Sequence, residues 1–324
     1  MKAIEKLKEV AKLFESSGIE AAEKEAEMLV RHSFGLNTVE IYRDNPEPGE
    51  EQIKTLESML SRRLKHEPIQ YILGHEEFLG MKILVKPGVL IPRTETELMA
   101  EQAIKAVISY KLQVTSKTPA FELQTQIPPY PPLLKGGGGG LLVTHHASLS
   151  ILDLCTGSGC LALALAREFP DFKVYGTDIS EIAIKSAEEN ARLNCISNVT
   201  FLRGNLFEPI EKLPTSYLPF PTFDLIISNP PYIRTDDIKN LQPEIKEWEP
   251  VDALDGGRDG LDFYRILIPS ARRFLKDDGI IMLELGFGQS SDVAGILELS
   301  GYTQIEIIKD YAGTERIIKA RWKR

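Results

Sequence analysis

The run at residues 150–166, Ser-Ile-Leu-Asp-Leu-Cys-Thr-Gly-Ser-Gly-Cys-Leu-Ala-Leu-Ala-Leu-Ala, constrains the fold more than any other stretch of the chain. A short apolar strand passes into a glycine-rich turn, and an alanine- and leucine-rich helix opens at about Cys160. Gly157 and Gly159 permit the tight turn and let a ligand approach the backbone at the helix N-terminus. Three more apolar pieces follow, each ending in polar or breaking residues: 173–177 before Asp178, 199–202 before Asn205-Leu206-Phe207, and 223–227 before Asn229-Pro230-Pro231-Tyr232. The pattern predicts an α/β fold, a Rossmann-like, doubly wound open sheet.

In such a sheet ligands bind outside the carboxyl ends of the strands, which is where these polar residues fall. The loop alone does not discriminate, because Gly157-x-Gly159-x-x-Ala162 also fits a dinucleotide fingerprint. Asp178, ending the second strand, can accept both hydroxyls of a ribose, and this serves NAD and S-adenosyl-L-methionine equally well. Asn205 and Leu206 would lie beside an adenine on the same edge. Strand-end Asp and Asn are also ordinary turn residues, so these assignments rest on their joint order along the chain.

Asn229-Pro230-Pro231-Tyr232 is the more specific signal. Neither proline has an amide hydrogen, so the strand must stop there and hold Asn229 at its end. The fixed backbone allows the Asn229 side-chain oxygen and a nearby main-chain carbonyl to accept hydrogen bonds from one planar NH2 group, with the Tyr232 ring packed against it. Such a site suits an amide or an exocyclic amine.

Glycine loop, ribose acid, adenine-side loop and Asn-Pro-Pro-Tyr in this order resemble the class I S-adenosylmethionine-dependent methyltransferases. The tetrapeptide narrows the resemblance to enzymes that methylate a planar nitrogen: glutamine amide, adenine N6 or guanine N2. Motifs from the linker onward sharpen it to one family. Pro68-Ile-Gln-Tyr-Ile-Leu-Gly-His75, Glu77-Phe-Leu-Gly80 and Leu90-Ile-Pro-Arg-Thr-Glu-Thr-Glu97 are similar to the signature of the HemK/PrmC protein-(glutamine-N5) methyltransferases, as are Glu249-Pro250, Ala253-Leu-Asp-Gly-Gly257, Asp259-Gly-Leu261 and Asp310-Tyr-Ala-Gly313 with Arg316. The resemblance implies methyl transfer from S-adenosyl-L-methionine to the glutamine of the Gly-Gly-Gln motif in class 1 peptide-chain release factors. Carried over by position, it implies cofactor contacts at Cys155, Thr156, Gly157, Ser158, Gly159, Asp178, Asn205, Leu206 and Asn229. It implies that Asn229, Pro230, Pro231 and Tyr232 hold the substrate, with Asn229, Pro230 and Tyr232 catalytic. Arg93 and Glu95 are expected near the pocket mouth, although residue chemistry alone makes them helix-opening groups favoured by the helix dipole. Two positions depart from the family pattern, Thr94 where proline is usual and Cys155 where glycine is usual, and both bear on affinity more than on activity.

The remaining sequence fits this picture. A net charge of -9 over 324 residues disfavours a large nucleic-acid footprint and tilts the substrate towards protein. Three cysteines without metal or disulfide spacing and scattered histidines imply no metal site and a reducing compartment. No basic-then-apolar leader and no apolar run near 18 residues are present, so a cytoplasmic protein with no membrane contact, acting as a monomer, is expected. Residues 1–75 carry helical stripes, Leu7, Val10, Ala11 and Phe14, then Ala22, Ala26, Leu29, Val30 and Phe34, then Ile53, Leu56, Leu60 and Leu64, broken near Gly18, Asn37 and Asn45–Gly49. They predict a small all-helical domain that helps to hold the release factor, with the acids between Glu20 and Glu27 forming a solvated face. Residues 76–91 read as a β-hairpin linker and 92–324 as the methyltransferase domain. Residues 109–149, with a Pro-rich run and Gly136–Gly140, read as an atypical surface insertion without a core. Two other functions share these features: a nucleic-acid N-methyltransferase, and a noncatalytic cofactor-binding module associated with release factors or the ribosome.

Overall fold

The computed structural model describes residues 2–117, 149–214 and 221–324. It opens with α1 (Ala3–Ser16), α2 (Ala22–Phe34), α3 (Thr38–Asp44), α4 (Glu50–Arg63) and α5 (Ile69–Leu73), whose buried faces form one hydrophobic core around Phe14, Leu29, Ile41 and Leu56. The helix α3 lies between two of the expected breaks, which are its caps. Asn37 Oδ1 accepts the Glu40 amide at 2.9 Å while Glu40 Oε2 accepts the Asn37 amide at 2.8 Å, and Asn45 closes the other end with φ 43°. The acidic face of α2 is not wholly solvated: Glu25 pairs with Arg63 and Glu27 accepts the Thr38 hydroxyl at 2.7 Å. Arg63, 3% exposed, also pairs at 3.0 Å with Glu244, fastening the helical unit to the rest of the chain.

Between the two units, β1 (His75–Phe78) and β2 (Met81–Leu84) pair antiparallel around a turn with positive φ at Leu79 and Gly80. Just before it, residues 69–73 are the short helix α5. Phe78, Met81 and Ile83 pack into the core of the second unit, and Asn190 exchanges hydrogen bonds of 2.7 and 3.1 Å with the Leu84 backbone.

The second unit contains α6 (Thr94–Lys117), β3 (Ser150–Leu154), α7 (Cys160–Glu168), β4 (Lys173–Asp178), α8 (Glu181–Leu193), β5 (Val199–Arg203), α9 (Glu208–Glu211), β6 (Phe223–Ser228), α10 (Pro243–Lys246), α11 (Asp262–Ala271), β7 (Leu275–Glu284), α12 (Ser290–Leu299), β8 (Thr303–Lys309) and β9 (Glu315–Arg321). A seven-stranded sheet runs in the order β5-β4-β3-β6-β7-β9-β8, parallel from β5 to β7 and antiparallel at β9 and β8. This is the doubly wound sheet that the alternating strands and helices predicted. Its inner strands read as continuous apolar runs because both faces are covered. Ile151 and Ile227 face the α6 and α7 side, and Leu152, Leu154 and Ile226 face α11 and α12. Of the expected insertion, residues 109–117 continue α6, and residues 118–148 lie outside the described residues. Among the described residues, no helix is long and apolar enough to cross a membrane.

Candidate active site

Strand register brings the site together. Leu154 pairs with Thr177 on one side and Ser228 on the other, and Ser228 pairs with Leu283. The next residues, Asp178, Cys155, Asn229 and Glu284, therefore leave the sheet side by side at its carboxyl edge. The chain order reverses direction at β3, so a crevice opens there between the outgoing loops. A cavity of about 760 Å³ fills it, lined by the glycine loop, Asp178, Asn205, Leu206, Asn229, Pro231, the approach to α6 from Gly88 to Arg93, and Phe263 and Ile266 of α11.

On one side the wall is mainly backbone. Cys155, Gly157 and Gly159 all have positive φ, 58°, 56° and 82°, so the loop coils tightly ahead of α7. The left-handed φ at Cys155 is the physical reason a glycine would suit that position. Burial pushes the Cys155 thiol upward, so it stays neutral. The two loop glycines have different duties. Gly157 faces open space in the cavity, whereas a Cβ on Gly159 would stand 2.9 Å from that of Ala187, so Gly159 serves packing against α8 and does not line the cavity. Cys155, Thr156, Gly157 and Ser158 do line it.

Asp178 accepts the Gly157 amide at 2.9 Å and the Ser180 amide at 2.9 Å. Burial raises its pKa, and those two amides hold the rise back. Each carboxylate oxygen keeps a lone pair for a ligand hydroxyl. Asp153, which sequence reasoning passed over, accepts the Thr156 hydroxyl at 2.5 Å and the Ala162 amide at 3.3 Å, tying the loop to the first turn of α7. Fully buried, it is pushed up to about 7. An acid inside an apolar strand was the signal available for it.

On the other side the wall is made of side chains. Asn229 donates from Nδ2 to Thr96 Oγ1 at 3.3 Å, Thr96 donates its hydroxyl to Glu284 Oε2 at 2.8 Å, and Tyr232 donates its hydroxyl to Glu284 Oε1 at 3.2 Å. Asn229, Pro231 and Thr96 line the cavity. Pro230 and Tyr232 are not among its lining residues, Pro230 being buried and the Tyr232 hydroxyl engaged by Glu284. Glu284 is 1% exposed, and burial pushes it up to about 7. The tetrapeptide exit is held by Gln289, which donates to the Tyr232 carbonyl at 2.8 Å, and by Ile233, whose amide and carbonyl bond to Leu254 at 2.9 Å and Gly256 at 2.8 Å.

Arg93 lines the cavity and pairs with buried Glu249, while Glu95 sits 3.6 Å from Arg316 outside the lining. Glu97 accepts the Leu79 amide at 2.7 Å and so holds the hairpin turn. Thr96 and Glu284 were missed by sequence reasoning. The apolar run 280–283 ending in an acid repeats the pattern that marked Asp178, and it was the signal for Glu284.

Comparison with known proteins agrees with this geometry. Residues 5–74 match the family model described as PrmC N-terminal domain, and residues 145–294 match one described as methyltransferase domain. The release factor glutamine methyltransferase of Thermodesulfovibrio yellowstonii is 41% identical over 98% of this chain and 97% of its own length. That of Geobacter sulfurreducens is 37% identical over 94% and 91%. Among solved structures, the hMettl16 catalytic domain in complex with MAT2A 3'UTR hairpin 6 matches with a TM-score of 0.50 and 13% identity, over 82% of this chain and 81% of that one, a likeness of fold alone.

Proposed function

The chain belongs to the release factor glutamine methyltransferase family, and we propose that it transfers a methyl group from S-adenosyl-L-methionine to the side-chain amide nitrogen of a glutamine in class 1 peptide-chain release factors. The observation that carries this reading is the juxtaposition, set by the pairs Leu154 with Ser228 and Thr177 with Leu154, of Asn229 beside the glycine loop and Asp178 in one cavity.

The residues present fit the donor. Gly157 leaves open space where a side chain would intrude, Asp178 retains lone pairs for a ribose diol, and Leu206 and Ile179 offer apolar flanks for an adenine. When bound, the donor supplies an electrophilic sulfonium methyl. The protein's own task is alignment and exclusion of water. An amide nitrogen is a poor nucleophile because its lone pair is delocalised, with the resonance that gives amides rotation barriers of about 18–20 kcal/mol. Two hydrogen bonds from the substrate NH2, one to Asn229 Oδ1 and one to a nearby main-chain carbonyl, push density onto that nitrogen and turn its lone pair toward the methyl. No cation is needed to hold a neutral amide, and none lies in the Asn229, Thr96, Glu284 and Tyr232 hydrogen-bond chain.

Incubation with cofactor and a purified release factor, followed by mass spectrometry of the Gly-Gly-Gln peptide, tests this reading. One added methyl on the glutamine is expected. Binding of labelled cofactor with no transfer to any release factor would favour a noncatalytic module, and transfer to nucleic acid instead would favour the other enzymatic reading.

A further inference from the structure

A hydroxyl carries one hydrogen, and that of Thr96 is committed to Glu284 Oε2 at 2.8 Å. Only its lone pairs remain toward Asn229, so Asn229 must turn its NH2 group to Thr96, as it does at 3.3 Å. The Asn229 oxygen is thereby left for the cavity. If the amide were reversed, Asn229 would present N–H donors to a substrate that also brings N–H donors.

We propose that Thr96 and Glu284 are positioning residues for methyl transfer, forming a one-directional hydrogen-bond chain, Asn229 Nδ2 to Thr96 Oγ1 to Glu284 Oε2, that selects the amide orientation of Asn229 able to hold a primary amide. The inference rests on the functional reading above. Tyr232 donates to the second carboxylate oxygen of Glu284 at 3.2 Å, so both donors require the ionised acid. Protonated Glu284 would have to donate one hydrogen, to Thr96 or Tyr232, and the chain through Thr96 could then run backward.

The other groups facing Glu284 are few. Glu95 on α6 and Arg316 on β9 act on it through space with opposite signs, Cys160 on α7 feels its field, and the Tyr264 hydroxyl of α11 donates to its backbone carbonyl at 2.7 Å. Arg316 is shared with Glu95 at 3.6 Å and Asp310 at 3.4 Å. Burial therefore governs, and it holds the Glu284 carboxyl at about 7, within reach of ordinary pH.

The test compares wild type, Thr96→Val and Thr96→Ser in transfer to a release factor from pH 5.5 to 9, with cofactor affinity by calorimetry. Thr96→Val keeps the shape and removes the hydroxyl, and kcat should fall on the order of 10- to 100-fold, as for a misaligned reacting group, while the cofactor Kd moves less than about threefold. Thr96→Ser should restore most of the loss, and wild-type kcat should decline as pH falls through about 7. Normal turnover in Thr96→Val, or equal impairment of the serine variant, overturns the inference. So does a wild-type profile that stays flat down to pH 6, a result readable even if Thr96→Val does not fold. A wild type that methylates no release factor overturns the functional reading, and this inference with it. A wild type that transfers beside an unimpaired valine variant overturns the inference alone.

Discussion

The two walls of the cavity are built by different means. The donor side is local: Thr156 bonds to Asp153 three positions away, and Gly157 bonds to Asp178 at a separation of 21. The acceptor side is assembled from a distance, with Asn229 and Thr96 separated by 133 positions and Thr96 and Glu284 by 188. A backbone-lined wall binds a ligand common to many proteins and tolerates variation in side chains. A side-chain wall joins α6, β6 and β7 and makes specificity depend on the whole fold.

The largest effect that could break this contrast is at Asn229. Asn229→Ala should lower kcat by on the order of 10²-fold or more, by analogy with removing a preorganised polar contact, while cofactor affinity falls much less. Turnover assays alongside calorimetry decide it, and an equal loss in both would mean that the walls do not divide their work. Asp178→Ala is the converse. The cofactor Kd should rise roughly 10- to 100-fold, from about 1.5–3 kcal/mol of charged hydrogen bonding, with kcat at saturating cofactor largely kept.

Within the donor wall, the two glycines should separate by what surrounds them. Gly159→Ala places a methyl 2.9 Å from Ala187 and 3.0 Å from Phe201 at φ 82°, and should cost about 1–3 kcal/mol in denaturant titration through overpacking. Gly157→Ala has open space, so its stability cost should be only the left-handed backbone term of about 1 kcal/mol, its larger effect appearing in cofactor affinity. Similar stability losses in both would show that the loop is packed throughout.

A further effect concerns pH. Asp153 and Glu284, one in each wall, are both raised to about 7, so the folded protein keeps protons that the unfolded chain has released. Each group therefore makes stability fall as pH rises from the ordinary carboxylate range through about 7, by no more than about 1.4 kcal/mol per pH unit. Relative to wild type, Glu284→Gln should gain unfolding free energy between pH 5 and 7 and level off above. A gap that stays constant over that range would show that Glu284 ionises with its normal pKa.

Where the sequence reading succeeded, the information was local. The coil at Gly157, the helix break at Asn37 and the strand stop at Pro230 each depend on a few adjacent residues and their allowed dihedrals. Where it fell short, the missing quantity was direction. Tyr232 read as a ring for the substrate, and the partner of its hydroxyl, Glu284, was not visible in the sequence. Pro230 and Pro231 both read as part of the wall, and Pro231 is the one that lines the cavity. Gly159 read as a point of ligand approach, and it is small because α8 lies against it. Residues 118–148 are outside what the structure describes, so their Pro- and Gly-rich composition stands as a sequence property.

The sequence by itself determined that this chain forms parallel strands with polar ends, that a glycine turn precedes α7, and that an asparagine stands at a strand end unable to continue. Backbone dihedral preference and hydrophobic period settle those matters within a few residues. Only the tertiary structure decided that β7 lies beside β6 in a register that sets Glu284 next to Asn229, and that α6 brings Thr96 between them. Strand order and register follow from burial of both sheet faces at once, a property of the assembled layers that no single segment contains.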